Sequence, residues 1–284
     1  MKLENVVAAF ILDKKVYCAP KTVQNYQEHL QMFLRFAPRD LEALTPDVIR
    51  EYIIHLKDRK LRNVSINSYM RSVKVFCRWI YEFEYVETDL FARIKLPRPD
   101  PAIKVPLSVE EVEIIDAVLD ERDMIIFHLM LDAGMRVSEV CNLKRKDVDL
   151  QNRLIYINDS KYNKSRIVPM AEKLVKMLDS YAVERHEIYL LCSRTGYQMT
   201  NNLIKQLFQR IKKTSGVKRL HAHLLRHTFA TSYIVGGGNL EKLRIMLGHA
   251  DYNVTKTYLH LAAQFEIVRY PIYQLDPVFF ERGY

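Results

Sequence analysis

The segment from His221 to Thr231, HAHLLRHTFAT, is rich in side chains that can bind an oxyanion. His223 and Arg226 lie three residues apart, so on a helix they share one face. An arginine supplies a fork of hydrogen-bond donors that matches phosphate geometry, and a histidine can give or take a proton near neutral pH. The pair therefore predicts a site for a phosphate group.

Three residues outside this segment can add to such a site. Arg136 follows Gly134 and begins the next predicted helix, whose N-terminus adds to the attraction for an anion. Gly248 ends a predicted helix and places His249 in a turn. Tyr258 follows nine residues after His249, in a chain with 17 tyrosines. Each feature is common by itself, and the prediction depends on their occurring together.

The histidines of this region also raise the alternative of a zinc site. Their intervals match no common zinc-ligand spacing, and no nearby cysteine or HExxH motif supports a metal. We therefore expect no metal and no other cofactor. The histidines concerned are His221, His223, His227 and His249.

The elements that must hold these residues are mostly helices. Ser108 and Glu111 form a capping-box pattern at the start of one helix. The segment 153–157 has the composition of a strand and, with 166–168 beyond a polar turn at 161–164, predicts a β-hairpin. One small antiparallel sheet among helices predicts a mostly α, α+β domain. Its helical patterns run to residue 119 and then at 123–133, 171–186, 202–213, 223–235, 239–247 and 254–268.

The first part of the chain predicts four helices. Thr45 followed by Pro46 is a helix start signal, and Ser65 is expected to cap the last helix. That helix has an apolar, buried face with three- and four-residue spacing: Ile66, Tyr69, Met70, Val73, Phe76, Cys77, Ile80 and Phe83.

Another face of the same helix carries one amide and three cations, with no carboxylate among them. Their spacing of i, i+4, i+7 and i+11 is typical of a helix that lies along a DNA groove. An ordinary solvated face is the alternative interpretation. The four residues are Asn67, Arg71, Lys74 and Arg78.

Prolines mark the boundary between the two parts. Pro97, Pro99 and Pro101, followed by Pro106, cannot continue a helix and favour an extended connector. We predict an N-terminal helical domain at 1–96, a linker at 97–106 and a second domain at 107–284.

The formal charge of +9 over 284 residues favours a polyanionic partner, although an ordinary basic enzyme is the alternative. The four cysteines are far apart, which is typical of reduced thiols in the cytosol. No stretch approaches the roughly 18 uninterrupted apolar residues of a membrane span, and the N-terminus lacks a signal-peptide cleavage site. We expect a soluble, cytoplasmic protein associated with the nucleoid, without contact with a membrane.

Four motifs together resemble the active site of the tyrosine recombinases, the family of phage-type integrases and Xer recombinases. They are AGMRVSE at 133–139, HLLRHTFAT at 223–231, LGH at 247–249, and Tyr258. The resemblance covers nearly the whole chain, and the intervals match short, Xer-like or resolvase-like members. It implies a two-domain DNA clamp: an N-terminal four-helix core-site-binding domain and a C-terminal catalytic domain of helices plus a small antiparallel sheet.

The resemblance implies a role for each residue. Tyr258 is the nucleophile that forms a 3′-phosphotyrosine bond with DNA. Arg136 and Arg226 stabilise the charge that builds on the phosphate oxygens. His223 is the candidate base, and His249 hydrogen-bonds the phosphate.

A hairpin lysine is implied as the acid that protonates the leaving 5′-oxygen. Lys161 occupies its place, but Ser160 and Tyr162 stand where the family often has glycine, so Lys164 is the alternative. Supporting roles behind the catalytic residues fall to Glu139 and Asp147.

The family also implies partners. The apolar tail from about residue 264 is expected to dock on a neighbouring protomer of a homo-tetramer, or alternatively to pack on its own domain. The tetramer would bring two specific double-stranded DNA sites together through a Holliday junction, with accessory proteins as further partners. The task is resolution of chromosome or plasmid dimers, resolution of transposon cointegrates, or integration and excision of a mobile element. Rival interpretations are a type IB topoisomerase-like enzyme that relaxes DNA and a non-catalytic DNA-binding regulator.

Overall fold

Four helices form the N-terminal part of the computed structural model, which describes residues 1–99, 105–158, 165–181, 188–249, 251–252 and 255–259. The chain divides into two compact units, Met1–Ile103 and Lys104–Tyr284. The four helices predicted for the first unit are confirmed. They are α1 at Leu3–Tyr17, α2 at Pro20–Leu34, α3 at Pro46–Asp58 and α4 at Asn63–Glu82, with a 3-10 turn at Leu41–Ala43 before α3.

The helix starts of this unit follow local signals, with one exception. The Thr45 side chain accepts a hydrogen bond from the Val48 amide at 3.4 Å, as the start signal of α3 predicts. The prediction that Ser65 caps α4 is wrong. Arg62, in an extended conformation, is the residue that precedes α4, and the Ser65 amide already donates to the Arg62 carbonyl inside the first turn.

The longest described helix, α4, packs against the three other helices of the first unit. Phe83, predicted to be buried, is 57% exposed. The reason is that α4 ends at Glu82, so Phe83 leaves the buried face and lies against the Trp79 ring, 4.8 Å between centroids. None of the described helices is long and apolar enough to span a membrane. The buried face of α4 consists of Ile66, Met70, Val73, Phe76, Cys77, Trp79 and Ile80.

The second unit opens with the predicted capping box. The Ser108 hydroxyl accepts from the Glu111 amide at 3.2 Å, and the Glu111 carboxylate accepts from the Ser108 amide at 3.0 Å. The helices that follow confirm the predicted patterns, although α8 ends before residue 186. They are α5 at Val109–Asp116, α6 at Glu121–Leu131, α7 at Val137–Asn142, α8 at Glu172–Ser180, α9 at Asn201–Ser215, α10 at Ala222–Val235 and α11 at Leu240–Leu247. Of the helix predicted at 254–268, residues 255–259 are helical, and the others fall outside the described residues.

A three-stranded antiparallel sheet lies between α7 and α8. The predicted hairpin is confirmed, since β2 at Leu154–Ile157 pairs with β3 at Arg166–Pro169. The strand β1 at Val148–Asp149 pairs with the other edge of β2 and was not predicted, because two residues are too short for a pattern. The predicted turn at 161–164 falls outside the described residues.

The helix α10 connects two hydrophobic clusters of the second unit. Leu224 and Leu225 in its first half join the large cluster around α6, whose residues are buried on every side from Ile125 to Leu131. Phe229 and Tyr233 in its second half join a smaller cluster with α11. As a result, α10 is buried from 224 to 234, and its side chains are held in place by packing on both sides.

Candidate active site

A glycine turn places Arg136 at the start of α7. Gly134 has φ +60°, a conformation that favours glycine, and Arg136 takes the position before the first residue of α7. The Arg136 amide donates to Glu139 Oε2 at 2.7 Å, and its Nη1 donates to Oε1 at 2.8 Å. The Arg136 side chain is 33% exposed, so it remains accessible to a ligand.

Arg166, a residue that the sequence analysis did not assign to the site, lies beside this pair. It is the first residue of β3, and its side chain is only 4% exposed. Its Nη1 and Nη2 donate to the two oxygens of Glu139 at 2.8 and 2.7 Å. The sequence signal that could have identified Arg166 is its place at the start of a short apolar strand. A cation buried there requires a charged or hydrogen-bonding partner.

The Glu139 carboxylate therefore bridges two guanidinium groups. It accepts four hydrogen bonds, two from Arg136 and two from Arg166. Burial by itself would raise the pKa of Glu139, but the bonds from Arg166 and Arg136 outweigh it and lower the pKa from 4.5 to about 2. Glu139 is thus an anion throughout the physiological range.

Arg226 is the third arginine, on the buried part of α10. Its Nη1 donates to the Gly134 carbonyl at 2.6 Å, and its Nη2 donates to the Leu247 carbonyl. Burial, followed by repulsion from Arg136, lowers the pKa of Arg226 from 12.5 to about 9. Arg226 is still a cation at pH 7, in a place that penalises its charge. We call Arg136, Arg166, Arg226 and Glu139 the arginine cluster.

The end of α11 organises the arginine cluster. Three successive main-chain carbonyls there each accept a hydrogen bond from a different arginine. The pairs are Met246 with Arg166, Leu247 with Arg226, and Gly248 with Arg136. Carbonyl groups at a helix C-terminus attract cations, so this one turn collects three guanidinium groups from β3, α10 and the start of α7.

His249 directly follows this turn. Its Nδ1 lies 2.9 Å from the hydroxyl oxygen of Thr255, which is fully buried. Burial first, and then the positive charges of the surrounding arginines, lower the pKa of His249 from 6.5 to about 4. The imidazole is therefore neutral at pH 7 and can exchange hydrogen bonds with a phosphate without carrying a charge.

Tyr258 lies on the helical segment 255–259 and is partly buried. Its ring is 6.5 Å from that of His249 and 5.3 Å from that of His227, measured between centroids. Burial raises the pKa of Tyr258, and the charge of Arg226 opposes the rise. The hydroxyl is therefore protonated at neutral pH, and a reaction through it requires that its proton be removed.

The remaining histidines lie at the start of α10. His223 is exposed, one turn before the buried Arg226. His221 precedes the helix, and its Nδ1 accepts from the Leu224 amide at 3.1 Å, so it serves as the helix cap. The structure brings Arg136, Arg226, His249 and Tyr258 together with Glu139, and it places His223 on the same helix as Arg226.

Of the other predicted site residues, Asp147 bonds within its own turn. Asp147 accepts a hydrogen bond from the Lys144 amide at 3.2 Å, in a 3-10 turn just before β1. That bond caps the turn. Lys161, Lys164 and the tail from about residue 264 fall outside the described residues.

The polar stripe on α4 has partners within its own unit. The Asn67 side-chain amide donates to the Pro97 carbonyl at 3.0 Å, so it holds the start of the predicted linker. Arg78 forms an ion pair with Glu82 at 2.8 Å, so a carboxylate lies one turn further along the same face of the helix. The three cations remain exposed along one side of the helix: Arg71, Lys74 and Arg78.

Two family models match the chain. One described as the phage integrase family matches residues 107–264, and one described as the phage integrase N-terminal SAM-like domain matches residues 10–82. The first alone covers more than half of the chain and contains all of the residues that the structure gathers around the end of α11.

Relatives and solved structures agree with these matches. The chain is 26% identical to tyrosine recombinase XerC of Bacillus pumilus over 92% of this chain and 92% of the relative. It is 29% identical to tyrosine recombinase XerA of Thermococcus kodakarensis over 87% and 86%. The Tn1549 transposon integrase, solved in complex with a circular intermediate DNA, superposes with a TM-score of 0.81 at 20% identity over 95% of this chain and 99% of that chain. The predicted fold class is thereby confirmed.

Proposed function

This chain belongs to the phage integrase family of tyrosine recombinases, enzymes that transfer DNA strands, and on that premise we propose that it cuts and rejoins DNA through a covalent bond to Tyr258. The observation that supports Tyr258 is the charge around it. The arginine cluster holds three cations and one carboxylate, and two of the arginines are largely buried. A buried surplus of positive charge is costly unless an anion offsets it. A DNA phosphodiester is such an anion.

The proposed reaction is the one that the family resemblance implies for these residues. The Tyr258 oxygen attacks phosphorus, a Tyr–O–P bond forms, and the P–O5′ bond breaks. The tyrosine proton passes to a base, which the resemblance assigns to His223, and the leaving 5′-oxygen takes a proton from Lys161, with Lys164 as the alternative. Attack by the 5′-hydroxyl then reverses each step and restores both the DNA and Tyr258, so the bond energy is conserved.

The arginine cluster supplies the stabilisation of the transition state. Arg136 and Arg226 are held in fixed positions by Glu139 and by main-chain carbonyls. Donors fixed in advance stabilise the charge that builds on phosphate oxygens without reorganising during the reaction. The charge of Arg226, which already opposes the raised pKa of Tyr258, favours the phenolate as the proton leaves. His249 adds a neutral hydrogen-bonding group.

Two charged surfaces support DNA as the substrate. Residues 188–240 contain eight lysines and arginines and no aspartate or glutamate, and Lys205, Lys213 and Lys218 are exposed there. The exposed cations of α4 supply a second surface in the other unit. We infer that residues 1–96 bind the core site, that 97–106 form the linker and that 107–284 carry the catalytic site.

The experiment captures the covalent intermediate. A pool of nicked duplexes with randomised sequence beside the nick is incubated with the protein, the mixture is denatured, and strands that stay attached to protein are sequenced. The nick lets the cut fragment diffuse away, so the intermediate accumulates. We expect an enriched sequence for the wild-type chain and none for Tyr258→Phe, while non-covalent DNA binding is retained.

A matched tyrosine serves as the control. Tyr252 is 47% exposed and lies six residues before Tyr258, so Tyr252→Phe should form the adduct normally. An adduct that survives Tyr258→Phe would place the nucleophile elsewhere. Absence of any adduct with the wild-type chain would favour a DNA-binding regulator, and relaxation of supercoils without two defined sites would favour a topoisomerase-like enzyme.

We infer further that the protein acts as a homo-tetramer on two sites, exchanging strands through a Holliday junction. The apolar composition of residues 264–284 supports this, because such a terminal segment requires a surface to cover it. Recombination between two copies of one site would serve the resolution of dimers or cointegrates, or the integration and excision of a mobile element.

A further inference from the structure

Arg166 is the member of the arginine cluster that has no part in the reaction described above. Its side chain is 4% exposed, against 33% for Arg136. Three of its hydrogen bonds are directed into the protein: two to Glu139, and one from Nε to the Met246 carbonyl at 2.6 Å. Because all three guanidinium nitrogens of Arg166 donate to protein groups, Arg166 acts on the reaction through those groups.

The groups that Arg166 contacts are the ones that position catalytic residues. Glu139 holds both the main chain and the guanidinium of Arg136. The Met246 carbonyl belongs to the turn that receives Arg226 and Arg136 and continues into His249. Arg166 thus links the element that carries one catalytic arginine to the turn that organises the others.

Only an arginine fits this position. Its planar guanidinium donates two parallel bonds to a carboxylate and a third, from Nε, to the side. The two oxygens of Glu139 are fully used, because each also accepts a bond from Arg136. Without Arg166, the Glu139 carboxylate keeps only its two bonds from Arg136, so it is held less firmly and orients the Arg136 guanidinium less precisely.

We propose that Arg166 is a positioning residue for strand cleavage: through Glu139 it holds Arg136 in the orientation that stabilises the phosphate oxygens. The proposal rests on the proposed function, since it assigns Arg136 to the phosphate. It predicts a loss in the chemical step rather than in DNA binding, because the exposed cations that would contact the DNA backbone are untouched.

The test compares two substrates in single-turnover cleavage, both built on the duplex that the wild-type chain captures covalently. In one, the scissile phosphate is normal. In the other, a methyl group replaces a nonbridging oxygen, so the phosphorus centre is neutral and needs less help from the Arg136 cation. Arg166→Gln should cleave the normal duplex about 100-fold more slowly than wild type, the loss typical of one misplaced oxyanion donor. On the methylphosphonate duplex the loss should be less than about 10-fold, because less negative charge builds on the phosphorus centre and the Arg136 donor contributes less.

Two further variants separate positioning from folding. Arg166→Lys keeps the charge but cannot bridge both carboxylate oxygens and a carbonyl. It should therefore also lose more activity on the normal duplex than on the methylphosphonate duplex, with a smaller loss than Arg166→Gln, and it replaces Arg166→Gln if that variant does not fold. Arg122 is the matched control, because it is 16% exposed and bonds to the fully buried Asp123 at 2.7 Å, away from the site. Arg122→Gln should affect both substrates equally.

Equal losses on the two duplexes for the Arg166 variants would overturn the proposal, because a purely structural role lowers both rates together. Wild-type rates in Arg166→Gln would overturn it as well. Failure of the wild-type chain to form any adduct is a different result, since it would remove the proposed function itself and with it the role of Arg166.

Discussion

Replacing Gly134 with alanine should destabilise the second unit through two separable effects. Gly134 has φ +60°, and an added Cβ would lie 2.5 Å from Phe229 Cδ1 and 3.1 Å from Leu247 Cδ2. The left-handed conformation costs about 1–2 kcal/mol for a residue with a Cβ. Overpacking against a buried ring costs about 1–3 kcal/mol more. Gly134→Ala should therefore lower the free energy of unfolding of this unit by about 2–5 kcal/mol.

The chain provides a control that carries only the first effect. Gly216 ends α9 with φ +76°, and an added Cβ would meet nothing within 4 Å. Gly216→Ala should cost about 1–2 kcal/mol, the conformational term alone. The difference between the two variants thus measures the contact with Phe229, and it should fall at about 1–3 kcal/mol.

The assay follows urea unfolding with two probes. Trp79 is the chain's single tryptophan and lies in the first unit, so its fluorescence reports on that unit, while far-ultraviolet circular dichroism reports on both. The tryptophan midpoint should stay at the wild-type value in both variants. Covalent capture of DNA should fall in Gly134→Ala, because the displaced Gly134 carbonyl is a partner of Arg226. Equal stability of the two variants would refute the reasoning, as would a shift of the tryptophan midpoint.

Two further predictions concern pH and assembly. His128 is fully buried, with Nε2 3.0 Å from an Asp116 oxygen and Nδ1 2.7 Å from an Asp132 oxygen. Burial by itself would lower the pKa of His128, but the bonds to the two carboxylates outweigh it and raise the pKa from 6.5 to about 9. The raised pKa contributes up to about 3 kcal/mol to the free energy of unfolding. This contribution is fully present below pH 6.5 and is lost as the pH rises through 9. His128→Asn should flatten the fall of the unfolding midpoint over this range, and an unchanged slope would contradict the assignment. Deletion of residues 269–284 should leave binding to one duplex intact and slow the joining of two sites; an undiminished recombination rate would disprove the role of the tail.

Features that depend on neighbours in sequence were predictable. The caps at Thr45 and Ser108 involve partners three residues away, and helix periodicity depends on the same short range. Ser65 shows the limit of such signals, because it lies inside the first turn of α4, which begins after the extended Arg62 without a side-chain cap.

The arrangement of the site depends on distant partners. Arg166 lies 27 residues from Glu139 and 80 from Met246, and no local pattern relates such positions. Motif resemblance gathered Arg136, Arg226, His249 and Tyr258 into one site, but it did not include Arg166. Arg166 reaches Glu139 and Met246 only because the fold of the second unit packs β3 against the end of α11.

The three carbonyls at the end of α11 have a consequence for how this protein tolerates mutation. A main-chain oxygen is present whatever the side chain, so substitutions at Met246 or Leu247 can alter packing without deleting an acceptor. A single-residue insertion before them is different, because it would rotate each acceptor by about 100° around the helix axis. All three arginines would lose their acceptors in this turn at once. Variation at Met246 and Leu247 should therefore be limited only by packing. The length of the turn should be strict, and so should Gly248, which has φ +61° and where an added Cβ would lie 3.1 Å from Arg166 Nη1.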